Sequence, residues 1–515
     1  MRCLVISNLQ SNDEIISPAL GVLGWARWIW RQLTSMRTAL ILLLMLAVAA
    51  VPGSIFPQRS ADPNGVTQYF DANPTLAPIL DSVQLFDVYS SSWFSAIYIL
   101  LFISLIGCVL PRTAVHFNAL RSAPPAAPRI FSRMPAHIEV ASKRGKLVER
   151  AAELLKKQGY RVVVDGDAVS AERGYLRETG NLIFHFSLIG VLLAVGIGGG
   201  MSYSGQRVLV EGETFVNNLA AYDSFAPGTF FKEAELVPFS MTLQKFQAEF
   251  DIRPSSKGMP LDFRAQVSTK LGANGKEKAT VIRVNEPLEM PNAKVYLTGN
   301  GYAPVMTIRD KDGNVVYSGA TAFLPQSSTY TSLGVIKVPD TARQFGIIAF
   351  FYPTVDELTT GALTSLFPAP IDPLLTMNVY EGDLGLDGGV PRNVYALDTS
   401  NMTQVAGGKS GVKGLRLKLG ESAELPNGLG TVTFDGLKRF ASLDVDYNPG
   451  ALWVLVFALL ALAGVTTSLL VPRRRVWVRK TEGGFEVAAL ARGDDPILEK
   501  VVNEVATALT QKDKK

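Results

Sequence analysis

The sequence predicts an integral membrane protein with four transmembrane α-helices, a large β-rich extracytoplasmic domain and a small α+β unit in a cytoplasmic loop. Three observations support this prediction. Four segments are apolar and free of charged residues, the loops between them alternate in charge, and the longest loop consists of short β-type runs separated by Gly, Pro and Asn.

The four apolar segments each supply the ~20 residues that a helix needs to cross a hydrocarbon core of ~30 Å. The charge-free windows run over Thr38–Gln58, Val88–Pro111, Thr179–Gln206 and Tyr447–Pro472. Within them we place transmembrane helices at residues 38–56, 93–111, 181–201 and 451–471. The first lies too deep in the chain for a signal peptide and three more follow it, so we interpret it as an anchor.

Loop charges predict the orientation of these helices, because Lys and Arg are retained on the cytoplasmic side of a membrane. Residues 112–180 carry 13 basic and 7 acidic side chains, whereas residues 202–450 carry 22 and 26. We therefore expect the N-terminal tail (1–37), the basic loop (112–180) and the C-terminal tail (472–515) in the cytoplasm. The short acidic loop (57–92) and residues 202–450 are expected outside, in a multi-pass protein of the plasma membrane.

The soluble parts differ in character. In the 112–180 loop, a proline-rich linker precedes a strand pattern, an amphipathic helix pattern and two strands around an Asp-Gly turn, which predicts a small α+β unit. Residues 202–450 contain a strong hairpin signal at Asp312-Gly313 and are predicted to form one large sandwich-like domain. After Asp494 we expect a short polar helix and then a lysine-rich end.

The residue types present exclude several kinds of chemistry. The chain has two cysteines, Cys3 and Cys108, and no Cys-x-x-Cys pair, and residues 202–450 contain neither cysteine nor histidine. Thiol–disulfide exchange needs a thiolate, so the outer domain cannot perform it. No phosphate-binding loop or nucleophile motif is present, and a net charge of +4 does not indicate nucleic acid as a partner. We therefore assign no catalytic residue.

His185, four residues beyond Asn181, is the one His, Asp, Glu, Lys or Arg residue within the predicted spans. Such a ring is costly in a membrane unless it faces protein or a ligand. Two interpretations remain open: an axial ligand to haem iron or a proton-linked site, or a histidine bonded to a neighbouring helix. His116 and His137 fall in the basic loop and are expected to be solvated.

Four long segments resemble the ResB family of System II cytochrome c biogenesis proteins. They are SMRTALILLL with AVPGSIFPQR, LFDVYSSSWFSAIYILLFISLIGC, GNLIFHFSLIGVLL and VNEPLEMPNAKVYLTGNGYAP. The first two resemble the first two spans of the family, the third resembles the span that carries its histidine, and the fourth resembles the signature of its outer domain. The resemblance extends over roughly residues 35–480.

The resemblance implies that the chain helps to deliver haem across the membrane for attachment to apocytochrome c, as a non-catalytic subunit of the cytochrome c haem lyase complex. It implies a membrane partner similar to CcsA (ResC) and a transient haem shared with that partner. His185 matches the family histidine and would be an axial ligand, so that haem iron is the only metal it binds. A separate thioredoxin-like protein would reduce the apocytochrome cysteines.

Two other functions are compatible with the layout of the chain. A membrane transport subunit with a ligand-binding outer domain would need polar residues along several spans, and His185 is the only His, Asp, Glu, Lys or Arg residue there. A membrane sensor would signal through residues 112–180, which contain no kinase, cyclase or DNA-binding signature.

Overall fold

The computed structural model describes residues 21–142, 145–386, 394–408 and 410–511 of the chain. The described helices, in chain order, are α1 (Val22–Leu33), α2 (Met36–Ile55), α3 (Pro63–Ala72), α4 (Ala77–Ser82), α5 (Ser92–Arg121), α6 (Leu147–Lys157), α7 (Leu176–Gly200), α8 (Ala451–Leu470) and α9 (Leu498–Thr510). Of these, α2, α5, α7 and α8 are long and apolar enough to cross a membrane, in agreement with the four predicted spans.

The described strands lie in two compact units of the chain, residues 1–197 with 450–515 and residues 198–449. They are β1 (Ala136–Ala141), β2 (Arg161–Asp165), β3 (Ala168–Arg173), β4 (Tyr203–Val210), β5 (Thr214–Val216), β6 (Ser224–Pro227), β7 (Phe239–Phe250), β8 (Pro260–Leu271), β9 (Lys278–Arg283), β10 (Leu288–Met290), β11 (Ala293–Arg309), β12 (Val315–Ala320), β13 (Leu324–Pro325), β14 (Ser332–Val338), β15 (Phe345–Tyr352), β16 (Val355–Glu357), β17 (Leu363–Ser365), β18 (Leu374–Gly382), β19 (Met402–Ala406), β20 (Leu415–Lys418), β21 (Ser422–Leu425), β22 (Gly430–Tyr447), β23 (Arg474–Thr481) and β24 (Gly484–Ala491).

Two of the long helices, α2 and α5, begin at serine caps that precede an apolar run. The side chain of Ser35 accepts a hydrogen bond from the backbone N–H of Thr38, and Ser91 does the same for Phe94. Helix α5 continues to Arg121, ten residues beyond the predicted end at Pro111. A proline removes one backbone hydrogen bond, but here the helix continues through it, and His116 in the extension contacts Thr179 of α7.

Glycines allow α7 and α8 to pack closely. A side chain at Gly180 would lie 2.7 Å from the carbonyl oxygen of Gly464, and one at Gly464 would lie 2.6 Å from the backbone nitrogen of Phe184. Lipid tails are as apolar as large aliphatic side chains, so the hydrophobic effect does not drive helices together in a membrane. Helices associate there through small residues, which let their backbones approach closely. This contact fixes the face of α7 that meets α8.

The α+β unit is built from two distant parts of the chain. Strands β1, β2 and β3 from the 112–180 loop join β23 and β24 from the C-terminal tail in one sheet, in the order β1-β24-β23-β3-β2. Helices α6 and α9 cover it with a shared apolar core that includes Leu155, Val502 and Val505. The predicted loop elements and tail helix are present, whereas both tail strands and their pairing with the loop were not predicted from the sequence.

Residues 198–449 form the predicted β-rich part of the chain, with two cores where we expected one sandwich. The long strands β11 and β22 pair along most of their length. One half of this ribbon packs against a sheet that contains β14, β15 and β18, and the other half packs against the sheet β5-β7-β8-β9. The predicted hairpin joins β11 to β12, with Gly313 at a φ of 85° in its turn.

Two β-bulges let one face of this ribbon serve both cores. The pairing of β11 with β22 shifts between Leu297 and Gly299 and again between Val305 and Met306. Each shift inserts one extra residue and so reverses the alternation of sides along the strand that carries it. As a result Val295 and Met306 point to the same face although their numbers differ in parity.

Candidate functional site

His185 lies on α7 and its ring is half-buried. Its Nδ1 lies 2.7 Å from the carbonyl oxygen of Asn181, one turn earlier in the same helix. A carbonyl oxygen only accepts hydrogen bonds, so Nδ1 is the nitrogen that carries the proton. In the neutral ring Nε2 then keeps its lone pair, and no described residue forms a hydrogen bond with it.

This arrangement fits a metal ligand. Histidines that bind metals generally donate the other ring N–H to a carbonyl or carboxylate, which fixes the tautomer and the orientation of the ring. Phe184 packs edge-on against the imidazole with ring centroids 5.1 Å apart, which further limits its rotation. The predicted bond from His185 to a neighbouring helix is not formed in the described residues. The ring is therefore held in place by its own helix, with Nε2 available.

A single imidazole does not complete a metal site. Among the described residues, no group of three or more His, Cys, Asp or Glu side chains is placed to hold a metal ion. A lone imidazole of this kind would fit a prosthetic group that itself supplies most of the ligands of its metal, as a porphyrin does.

The other two histidines differ from the prediction that they are solvated. His116 lies inside α5, is 7% exposed, and its Nε2 lies 3.0 Å from Oγ1 of Thr179 on α7. Its Nδ1 is buried without a hydrogen-bond partner in the described part of the chain. His137 lies in β1, half-buried, and pairs with Ala488 of the tail. The prediction was wrong for His116 because α5 extends beyond Pro111 and carries this residue into a helix–helix contact.

Arginines that follow the fourth span pair with carboxylates of the α+β unit. Glu172 of β3 is buried, and its Oε1 accepts hydrogen bonds from Nε of Arg473 and of Arg475 at 3.0 and 2.8 Å. Tyr175 donates its hydroxyl to the other oxygen at 2.8 Å. Burial alone would raise the pKa of Glu172, but these hydrogen bonds outweigh it and hold the pKa below its ordinary value. Arg474 pairs with the buried Asp495.

The tyrosine of the GNGYAP segment has a structural role. Tyr302 is buried and donates its hydroxyl to the carbonyl oxygen of Pro368 at 2.7 Å, while Arg439 donates to the same hydroxyl at 2.6 Å. Burial raises the pKa of Tyr302 to about 12, so the hydroxyl stays protonated. This residue therefore anchors the core that β11 shares with β15.

The sequence profile of the ResB-like family matches residues 36–503. The chain belongs to the ResB-like family. The matched range contains all four candidate spans, His185, the sheet of the α+β unit and the β-rich residues 198–449. Family membership agrees with the resemblance found in the sequence.

Several relatives of this ResB-like chain are named cytochrome c biogenesis protein CcsB. The protein from Synechococcus sp. (strain CC9311) is 30% identical over 276 residues, which is 52% of this chain and 59% of the relative. The protein from Synechococcus sp. (strain RCC307) is 24% identical over 91% of this chain and 93% of its own. The first-named match thus spans somewhat more than half of the relative's length.

Among solved structures, the cytochrome c haem lyase CcmF aligns with 78% of this ResB-like chain and 44% of its own, at 13% identity and a TM-score of 0.23. Similarity at this level carries no argument about fold or function. The family assignment rests on the sequence profile and the relatives.

Proposed function

We propose that this ResB-like chain is an assembly factor of System II cytochrome c biogenesis. Together with a CcsA-like membrane partner, it would transfer haem across the membrane and support haem attachment to apocytochrome c. Two facts support this proposal: the family assignment and the names of the relatives, and the free Nε2 of His185 within a membrane helix. The haem-specific part of this proposal rests on the geometry of His185. Its Nε2 would bind the iron of the transported haem as one axial ligand.

The partner would supply the second axial ligand. His185 is half-buried in this chain alone, so part of its ring is open to a neighbouring protein. The described residues of the outer domain contain no histidine or cysteine, so further haem ligands outside the membrane would also come from the partner. The outer domain would then be the surface that receives apocytochrome c or docks the partner, and a separate thioredoxin-like protein would reduce the apocytochrome cysteines.

The shared sheet supports the proposed topology independently of charge. Strand β3 directly precedes α7 and strand β23 directly follows α8, and the two strands pair in register. Paired strands must lie on the same side of a membrane. The chain therefore leaves that side through α7 and returns to it through α8. The basic excess of the 112–180 loop indicates that this side is the cytoplasm.

Reporter fusions test this topology. Gly166 lies in the β2–β3 turn and Gly313 in the β11–β12 turn, and an added Cβ at either position meets no other atom within 4 Å. Insertions at such exposed turns are well tolerated. A reporter that works only in the cytoplasm should be active when fused at Gly166 and inactive at Gly313, and a reporter that works only outside should give the opposite result. The four-span topology fails if the two fusion sites report the same compartment.

The cysteines are expected to be dispensable. The Cys108 thiol donates a hydrogen bond to the carbonyl oxygen of Thr34 at 2.8 Å, so it connects α5 to the α1–α2 junction, and Cys3 lies outside the described residues. Serine also donates such a bond. A Cys3→Ser, Cys108→Ser double variant should therefore mature cytochrome c at the wild-type level, measured by haem staining. Loss of maturation at normal protein abundance would show that a thiol of this chain takes part.

Co-purification tests the central proposal. The full-length chain, expressed with a CcsA-like protein and affinity-purified, should retain that partner and carry haem detectable by its absorption spectrum. The same preparation with His185→Gly should retain the partner and lose the low-spin haem spectrum. A chain that purifies with its partner but without haem in either form would contradict the haem-transfer role.

A further inference from the structure

A basic cavity of ≈ 460 Å³ lies where α5, α7 and α8 meet the α+β unit. Four arginines line it: Arg112, Arg177, Arg473 and Arg492. Glu178 and the buried ring of His116 also line it, together with the apolar side chains of Pro111, Val115 and Ala119 from α5. The cavity therefore combines positive charge with an apolar surface at one end of the membrane helices.

The carboxylates near this cavity do not neutralise its arginines. Glu178 pairs with Arg492 and lies 3.9 Å from Arg473, and Glu172 is already shared between Arg473 and Arg475. Arg112 and Arg177 have no ion-pair partner among the described residues. Five guanidinium groups thus share two carboxylates, which leaves an excess of three positive charges. Such a surface favours an anionic ligand, since Arg binds carboxylates and phosphates through paired N–H donors.

The cavity ends one helical turn before His185 on α7, because Asn181 lines it and His185 does not. Asn181 lines the cavity and accepts the Nδ1–H of His185 through its backbone carbonyl. Residues 178, 181 and 185 follow each other at spacings of three and four, so they lie along one face of α7. The rise along the helix from Asn181 to His185 is about 6 Å. A flat ligand bound to iron at His185 would therefore extend its edge toward the arginines.

We propose that this cavity binds the propionate carboxylates of the same porphyrin whose iron His185 holds. Arg112 and Arg177, which have no carboxylate partner among the described residues, would be the principal donors, although Arg112 also donates to Sδ of Met36 and Arg177 to the carbonyl oxygen of Arg492. This inference rests on the proposed function. It explains why a basic cavity has an apolar wall, because a porphyrin edge carries both hydrocarbon and carboxylate. It also orients the porphyrin with its acidic edge toward the side of the membrane that carries the α+β unit.

A phosphate of an acidic lipid headgroup shares the anionic chemistry and is the competing occupant. The porphyrin is favoured because the cavity and His185 are joined through Asn181 on one helix face. A headgroup would need only the arginines and would leave the position of the imidazole unexplained. The experiment below separates the two sources.

Metal-free protoporphyrin tests the cavity without involving iron ligation. The full-length protein in phosphatidylcholine nanodiscs should bind the free diacid about tenfold or more tightly than its dimethyl ester, measured by fluorescence titration. An Arg112→Gln, Arg177→Gln double variant should lose most of this preference. Arg121→Gln removes an exposed charge near the end of α5, outside the cavity, and should keep the preference. Arg112→Gln alone covers the case in which the double variant does not accumulate.

The outcomes separate this inference from the proposed function. His185→Gly should change the ferric haem spectrum but keep the preference for the metal-free diacid, so failure of iron ligation and failure of the cavity are recorded separately. Equal binding of diacid and ester by the wild type, or an unchanged preference in the arginine variants, overturns the inference. Loss of the preference when phosphatidylglycerol is included in the nanodiscs would assign the cavity to a lipid phosphate and likewise overturn it.

Discussion

Replacing His185 with glycine is expected to reduce cytochrome c maturation by roughly tenfold or more, a loss typical of disrupted metal coordination. The variant removes the imidazole whose Nε2 has no hydrogen-bond partner among the described residues, and it leaves a space the size of an imidazole. Millimolar imidazole added to the culture should enter that space and partly restore maturation. Haem-stained c-type cytochromes, normalised to the abundance of the variant protein, provide the measurement.

A matched control separates ligand loss from damage to the helix. Glycine in a helix costs up to about 1 kcal/mol relative to alanine, whatever side chain it replaces. Phe186→Gly makes the same backbone change at the next position, where the side chain is 43% exposed. Any loss of maturation in Phe186→Gly should be unaffected by imidazole. Full maturation and an unchanged haem spectrum in His185→Gly would show that the imidazole is a packing residue.

The membrane helices were predictable because their signal is local. A run of ~20 apolar residues has few alternatives to a membrane helix, so the four spans follow from the sequence without knowledge of tertiary contacts. The end of α5 was not predictable from composition, because the polar residues after Pro111 form a helix that packs through His116 against Thr179. That contact brings together residues 63 positions apart.

In the soluble units, too, contacts between distant residues could not be predicted from the local sequence pattern. The helix and the strands of the 112–180 loop have clear periodicity, but their partner strands β23 and β24 lie about 300 residues later. Sequence periodicity identifies a strand and does not name its neighbour. In the outer domain, the bulges in the β11–β22 ribbon break the alternation of apolar residues, so one ribbon that serves two cores could not be distinguished from a simple sandwich.

For the candidate site, His185 was predictable from the sequence, but its tautomer and the arginine contacts near it were not. A lone histidine in an apolar span is visible in the sequence, whereas its tautomer depends on the Asn181 carbonyl and is set by geometry. The sequence assigns no contacts to the three arginines that follow the fourth span. In the structure Arg473 and Arg475 bind Glu172, and Arg474 is buried against Asp495. Their roles require contacts that the sequence does not reveal.

Replacing Glu172 with glutamine is expected to destabilise the α+β unit by about 3 kcal/mol, the cost of removing one partner from a buried ion pair. The variant keeps the size of the side chain but leaves Arg473 and Arg475 close together without the carboxylate between them. Thermal unfolding of the full-length protein in detergent should show a lower midpoint at neutral pH. Glu482→Gln, an exposed residue in the β23–β24 turn, should leave the midpoint unchanged.

The pH dependence of this difference tests the ion pair directly. The pKa of Glu172 is lower in the folded protein than its ordinary value, because hydrogen bonds from Arg475, Tyr175 and Arg473 outweigh the effect of burial. The unfolded chain therefore takes up a proton first as the pH falls, and the stabilisation is present above the ordinary pKa of about 4.3 and is lost as the pH falls through the folded value. The midpoints of wild type and Glu172→Gln should differ most near neutral pH and converge in acid. A difference that stays constant with pH would mean that glutamine disturbs packing and that the charge of Glu172 contributes little.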